Sequence, residues 1–203
     1  MQSVYEAAGG DEGFLTLARA WHARVLADEV VSHAFSHGYH REHTERLAAY
    51  WIEALGGPAC YSELIGDETS VVKMHSGNGP HEEMDRRAIA CFDLALADAG
   101  LDRDERLRQV LHDYFSWATT TTMAQYHDSE DDVPEGLHIP RCRGAAWSAT
   151  PEDRPRPVEA FASHQACSDI VVGAHNGGGL RASPNREQRG ARTEIGQPRW
   201  AVG

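Results

Sequence analysis

Residues 71–92, VVKMHSGNGPHEEMDRRAIACF, are the most informative part of the sequence. It contains one histidine, His75, and then a turn with two glycines and Pro80. Glycine tolerates the backbone angles of a tight turn, and proline is favoured in the first turn of a helix. Imidazole is a good ligand for iron, so His75 is a candidate metal ligand. Taken alone the signal is weak, because a lone histidine beside a turn is more often a surface or capping residue.

Apolar side chains recur at helical spacing on both sides of this stretch, in residues 11–26, 41–55, 80–100 and 102–118. Asp11 is the predicted N-cap of the first helix, and Asp102 is predicted to open the fourth. The Gly-Gly-Pro run at 56–58 is predicted to end the second helix. The inward face of the fourth helix is predicted to contain Leu107, Val110, Leu111, Tyr114, Trp117 and Ala118. Residues 1–140 are therefore predicted to form one all-α domain.

The helical periodicity is lost beyond Pro140. Residues 141–203 are dominated by Arg, Pro, Gly, Ala and Ser, with three consecutive glycines at 177–179. A composition of this kind cannot bury enough apolar surface to form a core. We therefore predict a disordered tail over residues 141–203.

Charge is distributed unevenly along the chain. The 203 residues carry a net charge of -12, and residues 1–140 hold about 15 more acidic than basic side chains. Lys73 is the one lysine in the sequence. Nucleic-acid binding requires clustered Lys and Arg to neutralise phosphates, so we expect no nucleic-acid partner.

The N-terminal residues MQSVYEAAGG lack the basic and apolar regions of a signal peptide. No apolar run is long enough to span a bilayer, so a cytoplasmic location without a membrane role is the expectation. The four cysteines lie far apart with no CxxC pair, which argues against a zinc ribbon or a disulfide framework. We expect all four to be reduced thiols.

Several separate motifs together carry a resemblance to a known family. Tyr5, Gly9 and Gly10 precede the first long helix, Gly-Gly-Pro ends the second, and His75 is followed by Ser-Gly-Asn-Gly. In this combination residues 4 to about 140 resemble the truncated, two-on-two haemoglobins, and most closely their bacterial group II branch. The resemblance implies a two-over-two helical sandwich that binds haem b, with His75 as the ligand of the haem iron.

The resemblance also implies which side chains surround the haem. Four residues besides His75 would contact the cofactor: Phe35, Leu47, Met84 and Ala88. His22 and His43 would stabilise a ligand on the distal side, and His22 replaces the tyrosine that the family usually has there. Ala88 replaces a tryptophan that is usual in group II. One N–H donor to a partly negative diatomic ligand would stabilise it by about 1.5 to 3 kcal/mol.

By the same resemblance, the chain would bind the diatomic gases O2, NO and CO at ferrous haem. NO dioxygenase or peroxidase-type activity would require an unidentified reductase, so the assignment as an enzyme stays open, as do oligomeric state and physiological role. With two distal histidines, we expect His43, or failing that His22, to coordinate the iron when no gas is bound.

Two alternatives from other classes stay open. One is a haem-free helical interaction module whose histidines lie on the surface. The other is a non-haem metal enzyme, for which the crowded histidines 33, 37, 40 and 43 are the candidate cluster. No known zinc or di-iron spacing matches that segment, so solvated loop histidines with only His43 turned inward are the favoured interpretation.

The family match stops at Cys142. The run of residues 142–147, CRGAAW, corresponds to a Trp-Ser-Trp-Gly-Gly-Leu coding stretch read one base out of frame. We hypothesise that the tail is a frameshift product, and resequencing of independent clones would test this.

Overall fold

The computed structural model describes residues 2–36, 38–123 and 127–141. Seven α-helices are described: α1 (Val4–Ala7), α2 (Gly10–Ala27), α3 (His43–Ala54), α4 (Cys60–Leu64), α5 (Glu68–His75), α6 (Glu82–Asp98) and α7 (Glu105–Trp117). Short 3-10 helices span Val31–Phe35 and Glu130–Asp132, and one π-helical turn follows α7 at Ala118–Thr122. The predicted tail lies outside the described residues except for Arg141, as does the frameshift hypothesis.

The long helices form two pairs, α2 with α3 and α6 with α7, and the pairs meet where α2 packs on α6. Apolar residues at helical spacing give each helix one buried face, and these faces meet in a common core. Aromatic rings hold the pairs together: Trp51 of α3 contacts both Phe92 and Phe115, with ring centroids 5.4 and 5.9 Å away. The predicted all-α, two-over-two sandwich is confirmed.

Two helix starts differ from the prediction. The N-cap of α2 is Gly9, at φ 91°, and not Asp11. The Asp11 carboxylate instead accepts a hydrogen bond of 2.9 Å from the Tyr5 hydroxyl. At α7 the cap is Asp104 and not Asp102, because the Asp104 carboxylate accepts from the backbone N–H groups of two residues in the first turn.

The short helices were not predicted. α1, α4 and α5 contain 4, 5 and 8 residues, too few for apolar periodicity to become visible. One consequence matters for the site: His75 is the last residue of α5 rather than part of the turn that follows.

Two side-chain predictions were wrong. Trp117 was expected to face inward, but it is 44% exposed, because the chain leaves α7 at this point for the π-helical turn. Cys60 is disulfide-bonded, so the expectation of four reduced thiols fails there, whereas Cys91 is a free, buried thiol. None of the described helices combines the length and the hydropathy that a bilayer crossing requires.

Candidate functional site

Helix α5, which ends at His75, fixes the orientation of the His75 ring. Asp67 caps the start of α5 by accepting from the backbone N–H of Ser70 at 2.8 Å. At the other end, the His75 Nδ1 atom lies 2.8 Å from the carbonyl oxygen of Val71. Since a carbonyl only accepts, Nδ1 carries the proton and Nε2 presents a lone pair. This is how metal-binding histidines are commonly oriented by a backbone carbonyl.

His22 of α2 and His43, the first residue of α3, lie side by side, with ring centroids 5.0 Å apart. Phe35 lies 5.4 Å from each of them. Tyr39 contacts the His22 ring edge-on at 4.6 Å and is 47% exposed, so it forms the solvent side of this group. We call these four rings the distal cluster.

The distal cluster contains two polar atoms that are buried without a partner. Within the described residues, the Nε2 atoms of His22 and His43 are inaccessible to solvent and make no hydrogen bond. A buried polar atom left unsatisfied costs roughly 1–3 kcal/mol, and two adjacent ones are unusual in a folded protein. Such a pair is typical of a site that binds a ligand.

All three imidazoles are neutral near pH 7. The pKa of His43 is lowered to about 4, mainly by burial and then by the nearby rings of His22 and His75. Burial also lowers the pKa of His22 and of His75, with the bond to Val71 acting in the opposite direction on His75. His75 is thus one of the groups near enough to His43 to act on its pKa. Neutral imidazole is the form that binds metals.

Thr44 orients His22. Its hydroxyl oxygen lies 3.3 Å from His22 Nδ1. If the hydroxyl donates this bond, Nδ1 is the acceptor and the proton of the neutral ring resides on Nε2. That arrangement directs an N–H donor from His22 into the space shared with His43.

An apolar wall separate from the main core adjoins the distal cluster. It is formed by four buried residues, Val25, Val31, Ala88 and Cys91, with Trp21, Phe35 and Met84 packed against them. The Trp21 indole N–H donates to the Ala88 carbonyl oxygen at 3.3 Å, which fixes α2 against α6. Leu47 lies on α3 and packs against the main core instead. The predicted contact residues therefore belong to two apolar surfaces.

The structure separates the crowded histidines from one another. His43 joins the distal cluster, whereas His33 is exposed and His40 accepts a hydrogen bond of 3.1 Å from the Glu42 backbone. His37 lies outside the described residues. In the part of the chain that the structure describes, no three His, Cys, Asp or Glu side chains are grouped as a metal ion would require. The non-haem metal enzyme therefore gains no support from these residues.

Glu68 connects the helices that carry His75 and His43. The carboxylate is only 2% exposed and accepts a hydrogen bond of 2.8 Å from the hydroxyl of Tyr50 on α3. Its other oxygen, Oε1, is buried without a partner among the described residues. Burial raises the pKa of Glu68 to about 7, although the bond from Tyr50 acts against this.

A polar cavity of about 610 Å³ lies apart from these imidazoles. It is lined by Glu53, Ser62, Asp67, Glu68 and residues 137–141. None of the predicted site residues lines it.

These observations fit a haem. The cofactor requires one imidazole nitrogen on one side, a ligand space on the other, and apolar surfaces around a flat ring. His75 supplies the nitrogen, the distal cluster supplies two unpaired Nε2 atoms, and Phe35, Met84 and Ala88 supply an apolar surface.

Comparison with known proteins agrees with this geometry. The family model described as bacterial-like globin matches residues 3–120, which is more than half of the chain. The chain belongs to the bacterial-like globin family. As a globin, it is expected to bind a gas through haem, and the prediction of a truncated globin is confirmed, whereas its placement in group II stays a prediction.

Two solved structures resemble this globin. A thermostable haemoglobin from the actinobacterium Thermobifida fusca has 28% identity and a TM-score of 0.51, over 61% of this chain and 97% of that one. A triple mutant of ASV-TfTrHb has 28% identity and a TM-score of 0.52, over 61% of this chain and 93% of that one. No curated protein sequence matches the chain.

Three residues of the site escaped the sequence analysis: Thr44, Tyr39 and Val71. The role of Val71 could have been found, since the carbonyl four residues before a helical histidine lies next to its ring. Thr44 and Tyr39 depend on how α2, α3 and the connecting loop meet, for which the sequence contains no local signal.

Proposed function

We propose that this globin binds haem b through His75 Nε2 and takes O2, NO or CO on the side of the distal cluster. The observation that carries the proposal is the pair of buried, unpaired Nε2 atoms of His22 and His43. Ferrous haem supplies the open coordination position that a diatomic gas requires. The module without haem offers no reason for the adjacent Nε2 atoms of His22 and His43 to be buried without a partner among the described residues.

In this proposal the two distal histidines have different roles. We assign the Thr44 hydroxyl as donor to His22 Nδ1, which leaves the His22 Nε2–H group as the donor to a diatomic ligand. His43, whose pKa is about 4, remains neutral across the physiological range and offers a second Nε2 atom. With rings 5.0 Å apart, both reach the same small ligand space. Phe35 excludes water from it.

The proposal is tested by adding hemin to the 203-residue chain and recording absorption spectra of the ferric, dithionite-reduced and CO-treated forms. We expect one haem per chain, a CO spectrum, and loss of both in His75→Ala. If His75→Ala takes up haem as well as the parent does, the assignment of His75 as the iron ligand is contradicted. A well-folded chain that takes up no haem would favour the interaction module.

Peroxide reduction is a second candidate, favoured by the state of His43. A neutral imidazole with an open Nε2 atom is a general base for the proton of a peroxide. The electrons would come from a reductase, here replaced by ascorbate. We expect ascorbate-dependent peroxide consumption that falls in His43→Leu and is retained in His33→Leu, an exposed histidine. Equal loss in both variants would contradict this role. NO dioxygenation would be assayed as NO consumption by the oxygenated protein.

A further inference from the structure

Residues 127–141 lie beyond the end of the family match at residue 120. Within the described residues they fold back along α5, the helix that ends in His75. We call residues 127–141 the strap. Its contacts with α5 distinguish it from a loose C-terminal extension.

The strap contacts α5 and the turn that follows α5 at three positions. Near the start of α5, the Thr69 hydroxyl accepts from the Leu137 backbone N–H at 3.0 Å and donates to the Pro134 carbonyl at 3.4 Å. One turn later, the Lys73 ammonium pairs with the Glu135 carboxylate. Two residues after His75, the Gly77 backbone N–H donates to the carbonyl of residue 127 at 2.7 Å.

These contacts lie on the side of α5 that faces away from the site. At about 100° per residue, His75 is about 140° around the helix from the midpoint of Thr69 and Lys73. Thr69 is nevertheless only 3% exposed, because the strap covers it. α5 is therefore held from one side and presents its histidine on the other.

The strap is itself anchored to the rest of the fold. Val133 and Ile139 are 4% and 8% exposed, and Ile139 belongs to the main core. The Arg141 guanidinium donates to the carboxylate of Glu53 on α3 at 3.1 Å, and Glu53 is buried. The strap thus joins α5 to α3, which begins with His43.

α5 needs such support. It has 8 residues, and an isolated helix of that length is not stable in water. None of the other described helices packs extensively against it, in contrast to α2, α3, α6 and α7. Its position depends on Val71, which packs in the main core, on the hydrogen bond from Tyr50 to Glu68 and on the strap.

We infer that the strap is a positioning element for His75, and that Thr69 and Glu135 are the positioning residues that act through α5. This rests on the proposed function, since it assigns His75 as the iron ligand. Loosening the strap frees α5 to move and so changes the geometry with which His75 meets the iron.

The experiment compares Thr69→Val, which keeps the side-chain shape and removes both hydrogen bonds, with Glu135→Gln, which removes the charge of a 79% exposed side chain. Thr120→Val is the matched control, because the Thr120 hydroxyl is exposed and bonds only locally to Ser116. The readouts on the haem-loaded chain are the iron–histidine stretching band of the ferrous, gas-free form and amide hydrogen exchange of residues 68–77.

We expect Thr69→Val to increase exchange in residues 68–77 about tenfold, as loss of two neutral hydrogen bonds should, and to shift or broaden the iron–histidine band. Glu135→Gln should do the same to a smaller degree, and Thr120→Val should match the parent. Parent-like exchange in both strap variants would overturn the inference, as would faster exchange with an unchanged band. A parent that takes up no haem would instead contradict the proposed function, and exchange alone would then decide whether the strap holds α5, as it would if His43 coordinates the gas-free iron and removes the band.

Discussion

The two sides of the candidate haem site differ in how their histidines are held. On the α5 side, His75 bonds through Nδ1 to Val71 within its own helix, and the strap holds that helix from behind. On the other side, His22 and His43 lie in a cluster of rings with both Nε2 atoms unpaired. The α5 side is arranged to fix one nitrogen in one place, whereas the distal side retains unused hydrogen-bonding capacity.

Polar atoms with a hydrogen-bond partner and polar atoms without one thus serve different purposes in this site. A permanent ligand benefits from being oriented before its metal arrives, which a backbone carbonyl does. A transient ligand requires donors that have no competing partner. The variants described below test whether the two sides depend on these features.

The largest effect is expected for His75→Gly, which removes the one fixed nitrogen. Haem loss should accelerate by more than the roughly 10- to 100-fold that follows loss of a mere supporting residue. Haem transfer to an excess of an apoglobin scavenger measures this rate. Added imidazole should restore the parent spectrum by occupying the vacated space. An unchanged rate would show that another residue holds the iron.

Glu68→Gln tests the buried carboxylate of α5 that accepts a hydrogen bond from Tyr50 on α3 and so joins the two sides of the site. Burial raises the pKa of Glu68 from 4.5 to about 7, so the folded chain binds this proton more tightly than the unfolded chain does. Its stabilising contribution is therefore complete below pH 4.5 and is lost as the pH rises toward 7. Glutamine stays neutral, so between pH 4 and pH 8 the variant should gain up to about 3 kcal/mol relative to the parent.

Urea unfolding of the parent and the Glu68→Gln variant across that pH range measures the gain. Glu63→Gln, which changes an exposed carboxylate on neighbouring α4, is the control and should show no such pH dependence. A constant difference between parent and Glu68→Gln at all pH values would mean that the proton is not bound more tightly in the folded state.

His22→Leu and His43→Leu test the distal side. His22→Leu removes the proposed donor to a partly negative ligand, worth about 1.5 to 3 kcal/mol, so O2 release should become about 10- to 150-fold faster, and His43→Leu shows what the second imidazole adds. Stopped-flow dissociation measures it, and CO release, which depends less on such a donor, serves as the comparison. Spectra of the gas-free forms show in addition whether His43 coordinates the iron. Unchanged O2 release in both variants would contradict a role for the distal pair.

Thr44→Val should have the smallest effect. It keeps the shape of the side chain but removes the group that lies beside His22 Nδ1. Loss of one neutral hydrogen bond should make O2 release about 2- to 10-fold faster. Combined with His22→Leu it should add nothing, since Thr44 acts through that ring. Additive effects would show that Thr44 acts elsewhere.

The sequence predicted the long helices but not the short ones. α2, α3, α6 and α7 each repeat an apolar face over at least three turns, which periodicity detects. α5 has two turns and takes its position partly from residues 62 to 68 places further along the chain, such as Glu135 and Leu137. Only the tertiary structure reveals a helix of this kind.

In the candidate site, too, only features with a local sequence signal could be predicted. His75 could be selected from its turn and its family motif, and its role as the iron ligand stays a prediction. The adjacency of His22 and His43, twenty-one positions apart in sequence, became visible only once α2 and α3 were packed. The prediction that Trp117 faces inward was wrong for a related reason: periodicity extrapolates a helix past the point where its geometry changes.

Lys73 of α5, which pairs with Glu135 of the strap, is a site for selective chemical labelling. Because it is the one lysine in 203 residues, an amine-directed label can react with only two groups, this side chain and the chain's N-terminus. The ammonium group of Lys73 is paired with Glu135 as long as the strap stays bound to α5. Acylation at Lys73 would cancel its charge and break that pair, so a single covalent modification both reports on the strap and releases it.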